Sequence, residues 1–240
     1  MTIAWFSAGV TSTIACKLAI KKYPDVKIFY IDTGSEHSDN ERYLKDCENW
    51  FGQEIIRRRN SNYTSAMDVW QKKRFINSPN GASCTFELKK KVRYAIEDEL
   101  KCFDRQIFGF DNTERLRAKR FTEQNPILKP EYPLIDADLS KKDCMAILLR
   151  TGIELPAMYR LGYHNNNCIG CCKGGMGYWN KIRHDFPDVF TKMACLERDI
   201  GHTCIKGTYL DQLEPHRGHY PQEIEPECSI FCEPEFQYIQ

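Results

Sequence analysis

The first half of the sequence alternates short apolar segments, which are typical of buried strands, with longer segments that have helical spacing. The predicted strands are 2–6, 27–31, 53–57 and 105–108, and the predicted helices are 10–22, 40–51 and 86–100. Strands that alternate with helices of this length form a doubly wound, mostly parallel sheet with helices on both faces. We therefore expect an α/β fold whose ligand site lies at the carboxyl ends of the strands.

The composition and the pattern of the sequence change near residue 126, where prolines become frequent and the alternation of strands and helices stops. We predict three parts. Residues 1–125 form a nucleotide-binding α/β core, 126–213 complete that core and add a helical, Cys-rich region, and 214–240 form an extended, Pro-rich C-terminal arm. The chain of 240 residues is 42% hydrophobic, which is enough to bury a sizeable core.

The overall charge limits the possible partners of the chain. Lys and Arg number 34 against 33 Asp and Glu, so a uniformly basic surface for nucleic acid is excluded, although local basic patches remain possible. No apolar run approaches the roughly 18 residues of a membrane span, and the start of the chain lacks the pattern of a secretory signal. We expect a cytoplasmic protein in a reducing environment.

The loop between the first predicted strand and the first predicted helix has the small residues that close approach of a phosphate needs. It consists of Ser7, Ala8, Gly9, Val10, Thr11 and Ser12. Small residues let the backbone approach an anion, and the helix N-terminus adds N–H donors. The loop matches neither G-x-x-x-x-G-K-[ST] nor G-x-G-x-x-G, so an ordinary strand-to-helix turn is an equal alternative.

A second polar segment follows the second predicted strand. Asp32, Thr33 and Gly34 come directly after the buried stretch, where a doubly wound sheet lines its ligand crevice. We expect them to lie near a ribose or a base. The alternative is a turn in which Asp32 caps the next helix.

These segments, with others further along, resemble one known family. The loop is similar to S-G-G-x-D-S, and Asp32-Thr33-Gly34 is similar to a D-T-G segment. The later motifs, in order, are Tyr132-Pro133-Leu134, Leu155-Pro156, Tyr159, Leu161-Gly162-Tyr163, the C-x-x-C at 168–171 and Glu227-Cys228. In this order they resemble the phosphoadenosine phosphosulfate (PAPS) reductase family, part of the PP-loop group with an adenine nucleotide alpha-hydrolase-like fold.

The resemblance implies a further nucleotide-binding segment. The run that begins at Gly109 is similar to the family's G-x-R-x-x-E-S-x-x-R, and it points to Gly109, Glu114 and Arg117 as nucleotide-binding residues. The sequence departs from the family at Ala8, at Thr11 in place of the loop aspartate, and at Asp111 in place of the first arginine. A missing guanidinium weakens anion binding at that position.

The chain contains 12 cysteines, and some are placed where the resembling iron–sulfur reductases hold a cluster. The predicted metal ligands are Cys84, Cys168, Cys171 and Cys172. The resemblance implies a [4Fe–4S] cluster. Two alternatives remain: a zinc site made by Cys168 and Cys171 with Cys228 and Cys232, or free thiols.

Two cysteines in the C-terminal arm are the predicted catalytic residues. The resemblance implies that Cys228 attacks the sulfur of a sulfonucleotide, PAPS or adenosine phosphosulfate (APS), and Cys232 is placed to resolve the intermediate. This reading predicts an oxidoreductase of sulfur metabolism that releases sulfite with a thioredoxin-type reductant. The alternatives are an ATP pyrophosphatase-type sulfurtransferase that thiolates tRNA or DNA through an iron–sulfur cluster, and a non-catalytic nucleotide-binding protein.

Four basic runs give the chain its local positive charge. They lie at 57–59, 72–74, 89–93 and 115–120. The first of them is predicted at the edge of the crevice, where it could hold a 3′-phosphate or an RNA backbone. The alternative for all four is a solvated helix or strand face, because acidic residues balance them over the whole chain.

Overall fold

The computed structural model describes residues 1–78 and 81–221 of the chain. The strands are β1 (Thr2–Phe6), β2 (Val26–Asp32), β3 (Ile55–Arg59), β4 (Asn77–Ser78), β5 (Gly81–Ala82), β6 (Arg105–Ile107) and β7 (Pro130–Glu131). The helices are α1 (Val10–Lys22), α2 (Asn40–Phe51), α3 (Ala66–Lys73), α4 (Lys91–Leu100), α5 (Arg115–Gln124), α6 (Pro133–Asp136), α7 (Lys141–Arg150), α8 (Ala157–Arg160), α9 (Met176–Asp185) and α10 (Pro187–Ile200). A π-helical segment, Thr85–Lys90, leads directly into α4.

Five of the strands form one parallel sheet in the order β3-β2-β1-β6-β7. The chain runs from β1 outward to β2 and β3, and it then returns to the other side of β1 as β6. Ala4 in β1 is in register with Ile28 in β2 and with Ile107 in β6. The order reverses at β1, so the loops after β1 and β6 leave in opposite directions and open a crevice.

Both faces of the sheet are covered, because side chains alternate along each strand. On one face, Ala4 and Phe6 pack in a buried cluster with residues of α1, α2 and α7. On the other face, Ile3 and Phe29 pack against Val92 and Ile96 of α4. The predicted doubly wound α/β fold is therefore confirmed.

A second buried cluster lies outside the sheet. It joins Trp70 of α3 and Leu88 of the π-helical segment to Trp179 of α9 and Met193 of α10. The helical C-terminal region thus has its own core, to which a segment from the first half of the chain contributes. The domain boundaries predicted after residues 125 and 213 remain predictions. In the part of the chain that the structure describes, no helix is both long and apolar enough to cross a membrane.

Several elements differ from the sequence prediction, and three of them show why. The third strand begins two residues later, at Ile55. Helix α3 was not predicted, although Ser65 caps it by accepting a hydrogen bond from the Asp68 N–H at 3.2 Å. Strand β7 was also missed, because it has two residues and begins with Pro130, whose ring removes an N–H donor and confines it to a sheet edge.

Candidate functional site

A crevice of about 410 Å³ opens where the strand order reverses. The loop after β1 contributes Ser7, Gly9 and Thr11 to its wall. The wall also includes Trp5 and Tyr30 from the strands, Lys89 and Lys90 from the π-helical segment, and a loop that contains Asn165, Asn166, Asn167 and Cys168. The fold therefore places the predicted phosphate loop at a cavity where the strand order reverses, which is where doubly wound sheets bind their ligands.

Hydrogen bonds inside the loop after β1 fix its shape. The Ser12 hydroxyl accepts from the Ser7 N–H at 3.0 Å and donates to the Gly9 carbonyl at 2.8 Å. Ala8 and Val10 are fully buried beneath the loop. Of the six predicted residues, Ser7, Gly9 and Thr11 line the crevice, whereas Ala8, Val10 and Ser12 shape the loop from below.

Ala8 explains why the resembling family uses glycine at this position. Its φ is +56°, in the left-handed region that costs an L-residue about 1–2 kcal/mol. The side-chain amide of Asn166 holds this conformation, because its Nδ2 donates to the Ala8 carbonyl and to Asn40 Oδ1, each at 2.8 Å. Asn166 is therefore a positioning residue for the loop.

Gly109 is needed for close packing against this loop. A Cβ atom at Gly109 would lie 2.7 Å from the Ser12 Cα and 2.8 Å from the Ser12 nitrogen. The segment after β6 can therefore approach the first turn of α1 only with glycine here. Gly109 shapes the crevice through the backbone, and it is not among the residues that line the cavity.

The segment after Gly109 has a local structural role in this chain. Asp111, which stands where the family has an arginine, accepts from the Thr113 N–H at 2.9 Å, and Glu114 accepts from the Asp111 N–H at 3.3 Å. The two residues form a capping box. Glu114 also pairs with Arg117, whose guanidinium lies 4.4 Å from the ring centre of Phe110. Arg117 lines the crevice, and Glu114 does not.

The three residues at 32–34, where β2 ends, build a turn rather than the crevice wall. Asp32 Oδ1 accepts from the Gly34 N–H at 2.7 Å, and a Cβ at Gly34 would lie 2.0 Å from the Thr64 carbonyl oxygen. Thr33 is 2% exposed. The residue of this turn that lines the crevice is Glu36, whose carboxylate accepts from the Thr33 hydroxyl at 2.6 Å.

Two lysines of the crevice have no carboxylate partner among the described residues. Within residues 1–78 and 81–221, neither Lys89 nor Lys90 forms an ion pair, although both line the crevice. Most cations of the other basic runs are paired; the pairs include Arg57–Glu41, Arg58–Glu99, Arg59–Asp32, Lys72–Asp68, Lys73–Glu87, Arg74–Asp199, Lys91–Glu87 and Arg115–Asp138. These pairs agree with the alternative of a solvated face for the run at 57–59, and anion binding by that run stays a prediction.

Cys168 is the one predicted metal ligand that lines the crevice. Its Sγ atom lies 3.1 Å from the Thr33 hydroxyl. Burial raises the pKa of the Cys168 thiol to about 11, and the nearby Lys89 ammonium opposes that shift. A contact with the turn after β2 holds this thiol at the crevice, whose wall also includes the loop after β1.

Cys84 and Cys172 form a separate pair on the helical side. A hydrogen bond from Cys172 lowers the pKa of the Cys84 thiol to about 7, and that same contact raises the pKa of Cys172. Among the described residues, no three His, Cys, Asp or Glu side chains are grouped so that they could hold a metal ion. The four predicted ligands, as placed, do not fit a shared cluster, and the [4Fe–4S] and zinc assignments stay predictions.

The C-x-x-C turn has its two ends fixed by one side chain. The Cys171 N–H donates to the Tyr178 hydroxyl at 2.9 Å, and that hydroxyl donates to the Cys168 carbonyl at 3.3 Å. Cys171 lines a second cavity of about 430 Å³, together with Lys173 and His219. The two cavities share Asn165 and Asn167 in their walls.

Sequence reasoning missed several residues of the crevice. Trp5 and the asparagines at 165–167 line it but were not predicted as site residues. Three consecutive asparagines in a loop between two family motifs were the available signal, since amides both donate and accept hydrogen bonds. The predicted catalytic residues Cys228 and Cys232 lie outside the described residues.

Two comparisons bear on this site. The model of the phosphoadenosine phosphosulfate reductase domain matches residues 2–174, which include the crevice and the C-x-x-C turn. An uncharacterized protein of Methanocaldococcus jannaschii is 28% identical to the chain over 202 residues, which cover 81% of the chain and 41% of that protein. The chain therefore spans about two fifths of the length of that relative.

Proposed function

The chain belongs to the phosphoadenosine phosphosulfate reductase family, and on that premise we propose that its crevice binds a sulfonucleotide and that a cysteine thiol reduces the bound sulfate to sulfite. The family match supports adenine-nucleotide binding, and the reaction itself is our proposal. The observation that carries it is the crevice, where the loop after β1, a thiol and two lysines that form no ion pair within the described residues face one cavity.

The charge of the crevice fits an anionic ligand. Gly9 and the N-terminus of α1 offer backbone N–H groups, and Ser7 and Thr11 add hydroxyls at the same wall. Lys89 and Lys90 supply about two positive charges from the opposite element. A nucleotide with both a phosphate and a sulfate places its negative charge between these two sets of donors.

The reaction needs a thiol that can reach the sulfate sulfur. The resemblance predicts Cys228 for this role and Cys232 for the second thiol, and both lie outside the described residues. The thioredoxin-type reductant is likewise a proposal. ATP-dependent transfer of sulfur to RNA or DNA is less well supported, because most of the basic runs that would contact a phosphate backbone are paired with carboxylates.

The proposal is tested by incubating the full-length, reduced protein with PAPS, APS or ATP in the absence of oxygen. We expect sulfite and an adenosine phosphate from PAPS or APS when a thioredoxin-type reductant is present. The double variant Lys89→Ala/Lys90→Ala is expected to raise the KM about tenfold, which corresponds to ~1.4 kcal/mol of lost binding.

The matched control is Lys72→Ala, because Lys72 is exposed and paired with Asp68 away from the crevice. It should leave the KM unchanged. The proposed function is wrong if neither sulfonucleotide yields sulfite. Pyrophosphate release from ATP that RNA or DNA stimulates would instead support the sulfurtransferase alternative.

A further inference from the structure

One mostly buried arginine in the crevice wall has hydrogen-bond donors that no described residue uses. Arg93 of α4 lines the crevice, and 16% of its side chain is exposed. Its Nε atom lies 3.4 Å from Glu97 Oε1, and its guanidinium carbon lies 5.0 Å from the ring centre of Tyr94. Within the described part of the chain, its terminal amino groups form no hydrogen bond. Because a guanidinium cannot lose its charge, these donors suit an anionic ligand.

A relay of side chains holds Arg93 in the wall. Glu97 Oε1 accepts from Gln106 Nε2 at 2.9 Å, and Gln106 Oε1 accepts from the Trp5 indole N–H at 2.7 Å. An indole N–H only donates and a carboxylate only accepts, so this orientation of the Gln106 amide satisfies both neighbours. Gln106 is fully buried, and Trp5 lines the crevice. The relay therefore ties Arg93 on α4 to residues of β1 and β6.

The second guanidinium in the crevice wall is already engaged. Arg117 lines the crevice, but it pairs with Glu114, and its guanidinium lies 4.4 Å from the ring centre of Phe110. Its side chain is 64% exposed, so water screens its charge more than that of Arg93. Of these two arginines, Arg93 is therefore the one whose terminal N–H groups are free to bind an anion.

Two lysines accompany Arg93 in the wall. Lys89 and Lys90 precede it by four and three residues, and these spacings place side chains on one face of a helix. All three cations line the crevice. The loop after β1 and the N-terminus of α1 suit one oxyanion of a nucleotide. The cations of the π-helical segment and α4 form a second wall, which suits a second oxyanion of the same ligand.

We propose that Arg93 binds an oxyanion that the nucleotide carries in addition to its 5′-phosphate, and that Glu97 and Gln106 are positioning residues for Arg93. This oxyanion is either the sulfate at the end of the 5′ chain or a phosphate on the 3′ hydroxyl. A planar guanidinium donates to two oxygens of such a group at once. The assignment rests on the proposed function, because it takes the ligand to be a sulfonucleotide.

The test is isothermal titration of the full-length, reduced protein with AMP, ADP and adenosine 3′,5′-bisphosphate, which the proposed reaction does not consume. ADP has a phosphate where a sulfonucleotide has its sulfate, and the bisphosphate has the 3′ group. Arg93→Gln is expected to bind AMP as the wild type does. Its affinity for one of the other two probes should fall about 30-fold, or ~2 kcal/mol, which is typical of a hydrogen bond to a charged group. The probe that is affected identifies the oxyanion.

Two further variants examine how Arg93 is held and what it supplies. Arg93→Lys keeps the charge but loses the planar fork, so its affinity for the affected probe should lie between those of the wild type and Arg93→Gln. Glu97→Gln removes the charge of the anchoring carboxylate and should weaken binding of the same probe about threefold, with AMP binding unchanged. Wild-type affinity for that probe in Glu97→Gln overturns the positioning role of Glu97.

The matched control is Arg198→Gln. It removes a guanidinium that Asp211 holds on α10 and that does not line the crevice. This variant should bind all three probes as the wild type does.

The outcomes separate the two proposals. Arg93→Gln that binds ADP and the bisphosphate as tightly as the wild type overturns the role of Arg93. An equal loss for all three probes also overturns it, because a general disturbance of the crevice would then be the cause. The expected binding pattern in a protein that releases no sulfite from PAPS or APS overturns the proposed reaction and leaves the role of Arg93 intact. A wild type that binds none of the probes overturns both.

Discussion

Gly109→Ala is expected to damage both the stability of the fold and nucleotide binding. The added Cβ would lie 2.7 Å from the Ser12 Cα and 2.8 Å from the Ser12 nitrogen, whereas ordinary contact begins at 3.4 Å. Both atoms belong to the backbone of α1, so no side-chain rotation relieves the overlap. Either the loop after β6 or the first turn of α1 must move by roughly 0.7 Å, the difference between those distances, in a tightly packed region.

The size of the effect follows from that overlap. Forcing one extra carbon into a packed site costs about 1–3 kcal/mol. For a chain of this length each kcal/mol lowers the Tm by about 2–4 °C, so we expect a loss of about 4–8 °C at the middle of the range. Displacement of Ser12 also disturbs the hydrogen bonds that shape the phosphate loop, so affinity for an adenine nucleotide should fall about tenfold, or ~1.4 kcal/mol.

The assays are thermal unfolding and isothermal titration with an adenine nucleotide. Gly175→Ala is the matched control, because a Cβ at Gly175 meets nothing within 4 Å. Its only expected cost is that of alanine at the N-cap of α9, about 0.5 kcal/mol. If Gly109→Ala unfolds at the same temperature as Gly175→Ala and binds nucleotide as the wild type does, the packing argument is wrong.

Three further predictions concern single side chains. Asn166→Ala should lower the free energy of unfolding in urea by about 2 kcal/mol, because it leaves two buried acceptors without a donor, whereas the exposed Asn165→Ala should change it little. The hydrogen bond from the Cys172 thiol lowers the pKa of Cys84 to about 7. The rate at which Cys84 reacts with iodoacetamide should therefore be half-maximal near pH 7. A midpoint near the ordinary thiol pKa of 9.0 contradicts this prediction. The hydrogen-bonded Arg42 guanidinium lowers the pKa of Asp39 to about 2, so this carboxylate stabilises the fold above its ordinary pKa of 3.8, and the contribution is lost as the pH falls towards 2. Asp39→Asn should therefore have a lower free energy of unfolding than the wild type at pH 7, and the two proteins should have the same value at pH 2. A difference in the free energy of unfolding that persists at pH 2 has another cause.

Local signals in the sequence were sufficient for the central part of the fold. The apolar run at Thr2–Phe6 and the small-residue loop after it place β1 and α1 correctly, because both elements depend on side chains close in sequence. Strand β7 could not be recognised in this way. Its two residues pair with β6, and they have this hydrogen-bonding partner only once the sheet has formed.

The site was less predictable, because distant residues decide which groups face the crevice. The runs at 57–59 and 89–90 look equally basic, yet the first is paired with Glu41, Glu99 and Asp32, which come from three other elements. The spacing of Cys168, Cys171 and Cys172 indicates one shared site. In the structure the thiols of this short stretch meet different neighbours, Thr33 for Cys168 and Cys84 for Cys172.

The central claim is that an adenine nucleotide binds at the crevice formed by the loop after β1 and the loop at 165–168. Photo-crosslinking of the full-length chain with 8-azidoadenosine nucleotides, followed by peptide mass mapping, tests it most directly. We predict labelled peptides that contain Trp5, Tyr159 or Asn165, and unmodified nucleotide should compete the label away. Labelling confined to peptides outside the crevice, or labelling that unmodified nucleotide does not reduce, would contradict the account.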